Sequence, residues 1–451
     1  MRTPSRISGN AAIRVPIVKE QAKTVAIFAD PGTTHVLRDL FVIRWAFLVR
    51  PSVDLRRIRR AFDRLVARHD TLRLRFFPEA GSWSAEIVEA HPQGVQVHDL
   101  GDVADEVFDA EVQGRAKAAI PIDSDTLFEV HVLRFGARGD VVLFRVHHAI
   151  VDGYGAMVLA EEFFKLLMNI PLLSRPVSHI DSVKLDARRS RQNAAAKSAF
   201  WKNMVEPFGP LPQIGQQAKG KTPVHQATST GTVLLKDVCS SDDYAVLTKR
   251  AQQVGVTPFS LLQAAFGDMI CAAGGVNTVL LWSFFGRAQA ELLHYIGAAT
   301  TSVPLKYAAD GAARLEDRAK SMTGLIKEAA AHLPCADLVG DGALSQAFAA
   351  AGVPRLQYIT HLLDPQGRMR SSDITGHLTS LKRGAVSFGQ ITVERLRLDP
   401  QPSTPGELQL TVEDTPNGYA VTFGANAEAF SQADLVDLSA DFRARLAWFM
   451  Q

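Results

Sequence analysis

The chain has 451 residues, 47% of them hydrophobic and 21% charged, with a formal net charge of +2. That length exceeds one ordinary core and predicts two domains of about 200 residues each, with the composition of a water-soluble globular protein. The near-neutral charge argues against nucleic acid or a membrane surface as the main partner, and no apolar run is long enough to span a bilayer.

Met1 to Asn10 carries arginines with no apolar segment behind them, so no secretory signal is read. The first clear helix is predicted over 53–68, where Leu55, Ile58, Phe62, Leu65 and Val66 recur at spacings of three and four. Arg56, Arg57, Arg59, Arg60 and Arg64 lie off that face, and Asp54 sits near the start, where its charge suits the helix dipole. Residues 71–77 alternate as a strand, with 82–88 as a hairpin partner around Gly81. A strand at 128–135 and a turn at 136–139 lead into an apolar run, 141–146, rich in β-branched residues and predicted to be a buried strand. It ends in His147-His148-Ala149-Ile150-Val151-Asp152-Gly153, after which 155–164 has no breaker past its first residue and is predicted to be helical.

Composition then shifts over 169–193 to a Pro-containing, polar, basic stretch, predicted to be a linker. A second α/β half follows: a strand at 231–235, helices at 241–253 and 258–273, and the turn Gly274-Gly275. Strands at 278–285 and 299–307 and a helix at 313–332 complete its middle part. Strands at 408–412 and 419–423 flank Pro416-Asn417-Gly418, a hairpin turn, and a helix over 433–450 closes the chain. The pattern is a mixed α/β layer structure. Cys239, Cys271 and Cys335 are scattered without a CxxC pair and are predicted to be free thiols of a reducing cytoplasm, with no zinc site. There is no GxSxG elbow, no GxxxxGK[ST] loop and no GxGxxG after a strand.

The segment His147–Gly153 reads HHxxxDG at a strand end, where rigid elements can hold reactive groups. Successive strand side chains point to opposite faces, so His147 and His148 cannot easily converge on one atom or one metal ion. One imidazole should face a cavity and the other packed structure. Histidine can take a proton from an attacking nucleophile near neutral pH, and the helix start beyond Gly153 offers free N–H groups to a developing oxyanion. The segment is thus a candidate acyl-transfer site. The competing reading is a core histidine pair followed by an N-capping aspartate.

With the motif placed, the chain resembles the condensation-domain superfamily of nonribosomal peptide synthesis and its carrier-protein- and CoA-dependent acyltransferase relatives. The stretch 67–76 is similar to the family's RHExLRTxF motif, and 147–153 matches its active-site motif residue for residue. Ala199-Phe200-Trp201, Val256-Thr257-Pro258 with the residues to Leu262, Gly286-Arg287, and IGAATTSVPLK over 296–306 follow in the family's order. The resemblance implies two chloramphenicol-acetyltransferase-like α/β lobes, 1–178 and 179–451, set as a V around an active-site tunnel. It implies that His148 is the catalytic base, that His147 packs inward, and that Asp152 pairs with Arg287 in a structural ion pair. Tyr154, Ala299 and Thr301 are expected in the tunnel, Ala299 and Thr301 standing where the family has Phe and Asn, so Ala299 is expected to widen it. No EGHGRE-type segment is found, which disfavours epimerisation.

The reaction this implies is acyl transfer from a phosphopantetheine thioester, on an acyl or peptidyl carrier protein, to a small-molecule amine or alcohol in natural-product biosynthesis. No bound cofactor and a monomeric state are expected. No carrier or adenylation domain fits within 451 residues, so a free-standing condensation enzyme is expected, with the arginines of 53–68 or Arg188, Arg189 and Arg191 offered to an acidic carrier. A CoA-dependent acyltransferase, a catalytically silent docking module and a thioester hydrolase are the competing readings.

Overall fold

The computed structural model describes residues 12–18, 21–22, 24–25, 41–79, 82–91, 93–205, 212–215, 231–285, 287, 290–309, 313–333, 358–362, 373–399 and 406–451. Strands β1 (Ala12–Val15) and β2 (Val42–Arg50) precede helix α1 (Leu55–Arg68). α1 buries Ile58, Ala61, Phe62, Leu65 and Val66 along one face and leaves Arg56, Arg59, Arg60 and Arg64 exposed. Its start is set by the Asp54 carboxylate, which accepts from the Arg56 N–H at 2.9 Å. The strand expected from Thr71 begins three residues later as β3 (Leu74–Glu79), because Asp70–Arg73 closes a 3₁₀ turn that buries Thr71 and Leu72. β3 pairs antiparallel with β4 (Ser82–Val88), while Gly81, the expected hairpin tip, lies outside the described residues.

β5 (Gln96–Asp99), α2 (Asp105–Lys117), β6 (Phe128–Arg134) and β7 (Asp140–His147) follow, then α3 (Gly153–Leu167). The stretch expected to be a linker holds α4 (His179–Arg191), capped by the Ser178 hydroxyl accepting from Asp181 N–H at 3.0 Å. This helix buries only His179 and Ser182, so its polar, basic composition hides it. α5 (Ala194–Val205) leads to β8 (Thr232–Cys239), α6 (Ser241–Gln253) and α7 (Pro258–Gly274). α7 stops at Gly275, whose φ of 63° is the left-handed conformation glycine adopts without a Cβ penalty. β9 (Thr278–Phe285), β10 (Thr301–Ala308), α8 (Leu315–Ala331), β11 (Tyr358–Leu362) and α9 (Asp373–Thr379) come next. β12 (Val386–Phe388), β13 (Ile391–Leu396), β14 (Leu408–Thr415), β15 (Gly418–Asn426) and α10 (Gln432–Met450) complete the chain.

Two six-stranded sheets organise these elements, in the orders β12-β13-β2-β7-β6-β5 and β10-β9-β11-β14-β15-β8. In the first, α1 and α3 cover one face, where Phe47, Phe144 and Phe164 meet edge to face at 5.0–6.3 Å. α2 covers the other face through Phe108 and Val112. Each such aromatic contributes about 1.5–3 kcal/mol by leaving water. In the second sheet, α6, α7 and α10 pack over Trp282, Tyr358 and Phe423. A division at residues 178 and 179 does not separate the sheets: β13 returns from far along the chain to pair with β2, Val393 opposite Val49. Among the described residues no single helix is long and apolar enough to cross a membrane.

Candidate active site

β7 is an interior strand, flanked by β2 and β6, and all eight of its residues are buried. It ends at His147, which is 0% exposed, with its ring stacked near Phe41. The His147 Nδ1 accepts from the Ala149 N–H at 3.0 Å, which puts the proton of the neutral ring on Nε2. Burial, reinforced by the neighbouring His148, pushes its pKa down to about 3, so the ring is neutral at cellular pH.

Acid lability follows from this. The unfolded chain takes up a proton on His147 near its ordinary pKa of about 6.5, whereas the folded chain refuses it until about pH 3. Stability present above the upper value is therefore lost as pH falls toward the lower one, by on the order of 4 kcal/mol. Urea unfolding between pH 7 and pH 4 should show this slope in the wild type and a shallower one in His147→Gln. Equal slopes would contradict it.

His148, one residue on, turns to the opposite side and keeps part of its surface accessible. Its backbone N–H donates to the Phe41 carbonyl, and the Phe41 ring lies edge-on at 6.4 Å. Asp152 then closes the loop and is fully buried. One carboxylate oxygen, Oδ1, caps α3 by accepting from the Gly155 N–H at 2.8 Å. The other, Oδ2, meets the Arg287 guanidinium in a buried ion pair and accepts from Ala299 N–H (2.9 Å), Thr300 N–H (2.8 Å) and the Thr300 hydroxyl (3.0 Å). Burial opposes ionisation of this carboxyl, but the Arg287 charge and these hydrogen bonds overcome it and hold it below the usual carboxylate range. N-cap and ion pair, alternatives at the level of sequence, are both made by one side chain.

Arg287 is equally well held. It donates to the carbonyls of Leu292 (3.1 Å), Tyr295 (2.8 Å) and Gly297 (3.1 Å), and its guanidinium lies 5.1 Å from the Tyr154 ring centroid. The Asp152 N–H donates to the Gly297 carbonyl at 3.2 Å. Gly155 makes the approach possible, since a Cβ there would stand 2.9 Å from Val151 Cγ2 and 3.2 Å from Arg287 Nη2. The loop after β7 is thereby clamped to the start of β10 in the other sheet.

The remaining expected residues fall around this clamp. Gly153 is exposed, begins α3 and has nothing within 4 Å of the position its Cβ would take. Tyr154 is half-buried beneath Arg287. Ala299 reaches the site through its backbone, and Thr301 opens β10 opposite Phe285. Gly286 lies outside the described residues. Thr300 and Gly155 escape a reading of the sequence because their roles are contacts with another segment, which no local pattern announces. The arrangement offers an accessible imidazole, open space beside a helix N-terminus, and a rigid support. That set can take a proton from a nucleophile and accommodate negative charge.

Comparison with known proteins adds an independent view. A family profile described as "Condensation domain" matches residues 38–447. One chain of the linear gramicidin synthase of Brevibacillus parabrevis is 23% identical over 437 residues, covering 92% of this chain and 8% of that protein. Across the curated relatives matched, the chain spans from 4% to 10% of their length. Among solved structures, the SgcC5 protein from Streptomyces globisporus superposes with a TM-score of 0.73 at 16% identity, covering 96% of this chain and 98% of that one. The condensation domain from Monacolin K polyketide synthase MokA gives 0.74 at 13% identity, covering 98% and 97%. These solved structures share the α/β fold of two packed sheets expected from the sequence.

Proposed function

Because the chain belongs to the condensation-domain family, we propose that it transfers an acyl group from a phosphopantetheine thioester, presented by a carrier protein, to an amine or alcohol. The observation that carries this is the division of labour between the two histidines. His147 is sealed in and neutral, whereas His148 reaches accessible space beside the N-terminus of α3.

The attacking N–H or O–H hydrogen-bonds His148, which removes the proton as the tetrahedral intermediate forms. Charge gathers on the former carbonyl oxygen, within the open space beside the Gly153 N–H. Collapse expels the thiolate, which regains the proton from His148. No acyl-enzyme is required. Cys239 and Cys271 are buried thiols whose pKa values are pushed up to about 12, which makes them poor nucleophiles. Cys335 lies outside the described residues. The substrate channel runs between the two sheets, past Tyr154, Ala299 and Thr301. The exposed arginines of α1, with Arg188 and Arg191 on α4, offer cationic faces to an acidic carrier protein.

Mass spectrometry of products from acyl-loaded carrier protein, and separately from acyl-CoA, with a panel of amines and alcohols tests the reading. An amide or ester formed from the carrier-bound donor supports it. Turnover of acyl-CoA alone assigns a CoA-dependent acyltransferase, free acid without acceptor a hydrolase, and no product a silent docking module.

Ala299 supplies a test of the channel. Its N–H holds Asp152 while its side chain stays partly accessible, so Ala299→Phe keeps the clamp and adds bulk near the start of β10. In a competition between a short and a long acyl donor, the variant should shift toward the short one. Equal use of both by wild type and variant would contradict a channel at this position.

A further inference from the structure

A third histidine approaches the same centre from the second sheet. The ends of β9 and β10 are pinned to the motif loop, through Arg287 on one side and Ala299 and Thr300 on the other. β11 lies parallel beside β9 with Thr360 opposite Ser283, which brings His361 level with Phe284, their rings 4.7 Å apart. The Thr360 hydroxyl accepts from Gln263 Nε2 of α7 at 2.8 Å, so the next residue along the strand, His361, points to the opposite face, away from α7. That face is polar. Thr411 sits opposite His361, and Gln409, 9% exposed, donates to the Thr411 hydroxyl at 2.7 Å. The Gln409 Oε1 is buried with no hydrogen-bond partner among the described residues. His361 itself keeps part of its surface accessible, and its ring lies close enough to His148 for their charges to interact. Burial, with His148 beside it, lowers its pKa to about 4.

We propose that His361 is a second catalytic residue, donating a ring N–H to the thioester carbonyl oxygen from the wall facing His148. The proposal rests on the acyl-transfer reading above and adds a role to it. As the acceptor attacks the carbonyl carbon, the C=O π pair moves onto oxygen, where the His361 N–H stabilises it together with the Gly153 N–H. The acceptor's proton passes to His148 and then to the departing thiolate, so no other reactant is needed. Neutrality of His361 serves this task. An imidazolium at 361 would repel the proton arriving on His148, whereas a neutral imidazole still donates a hydrogen bond to the forming oxyanion. The Phe284 ring beside it limits its rotation, which keeps the donor aimed.

The test uses the full chain with the donor and acceptor pair found for the wild type. His361→Phe should lower kcat by about 10²-fold, the usual effect of removing one oxyanion donor, with the donor KM near its wild-type value. His361→Gln, whose amide N–H still donates, should lose less. Circular dichroism and a thermal melt establish that both variants fold. Full kcat in His361→Phe overturns the assignment while leaving the acyl-transfer reading intact, and so does an equal loss in the two variants. Absence of transfer by the wild type overturns both. NMR of labelled histidines supplies a readout independent of turnover: His148→Gln should raise the titration of His361, and an unmoved titration would overturn the facing arrangement.

Discussion

Replacing His148 with alanine is expected to lower acyl transfer by about 10²–10⁴-fold, the range of a general-base contribution, while the protein stays folded. The side chain lies at the end of β7 with part of its surface accessible, and its main structural tie is the backbone N–H to the Phe41 carbonyl, which alanine retains. Little packing is lost, so the change separates chemistry from stability. His147→Ala should do the reverse. It opens a cavity at a fully buried site and removes the acceptor that holds the Ala149 N–H, so protein stability falls first.

The second large effect falls on the clamp. Asp152→Ala should destabilise the fold by about 3–5 kcal/mol, because it leaves the Arg287 guanidinium buried without a counter-charge. Against a typical total of about 5–15 kcal/mol, that threatens soluble expression. Arg287→Ala should cost less. The Asp152 carboxylate would keep its donors at Gly155, Ala299 and Thr300, and it can take up a proton, which an arginine left behind cannot lose. The double variant should cost less than the sum of the two single changes, since neither charge is then stranded. Denaturant unfolding of the four proteins measures this cycle. Additive losses would show that the two side chains stabilise the fold separately.

The elements legible in the sequence are those whose cause is local. α1 and α6 follow from apolar spacing and a capping side chain, and β9 from a β-branched and aromatic run that opens after Gly274-Gly275. The HHxxxDG segment is equally local, so its strand, loop and helix follow from neighbouring residues alone. β2 escapes such a reading although it is the neighbour of the motif strand. Its buried run 46–49 lacks alternation because both faces of the sheet are covered. β13 joins that sheet from more than 340 residues away and carries β12 with it, a pairing no periodicity encodes. α4 is hidden by its arginines. Thr300, Gly155 and His361 carry no motif and become part of the site only when the second sheet is brought against the loop.

The central claim is that the His148 imidazole accepts the acceptor's proton. It is tested most directly by the single-turnover rate of acyl transfer from a loaded carrier protein at saturating acceptor, in wild type and His148→Ala. The account predicts a rate at least about 100-fold lower in the variant, with the donor still bound and the fold unchanged. A variant that transfers within a few-fold of the wild-type rate would contradict it.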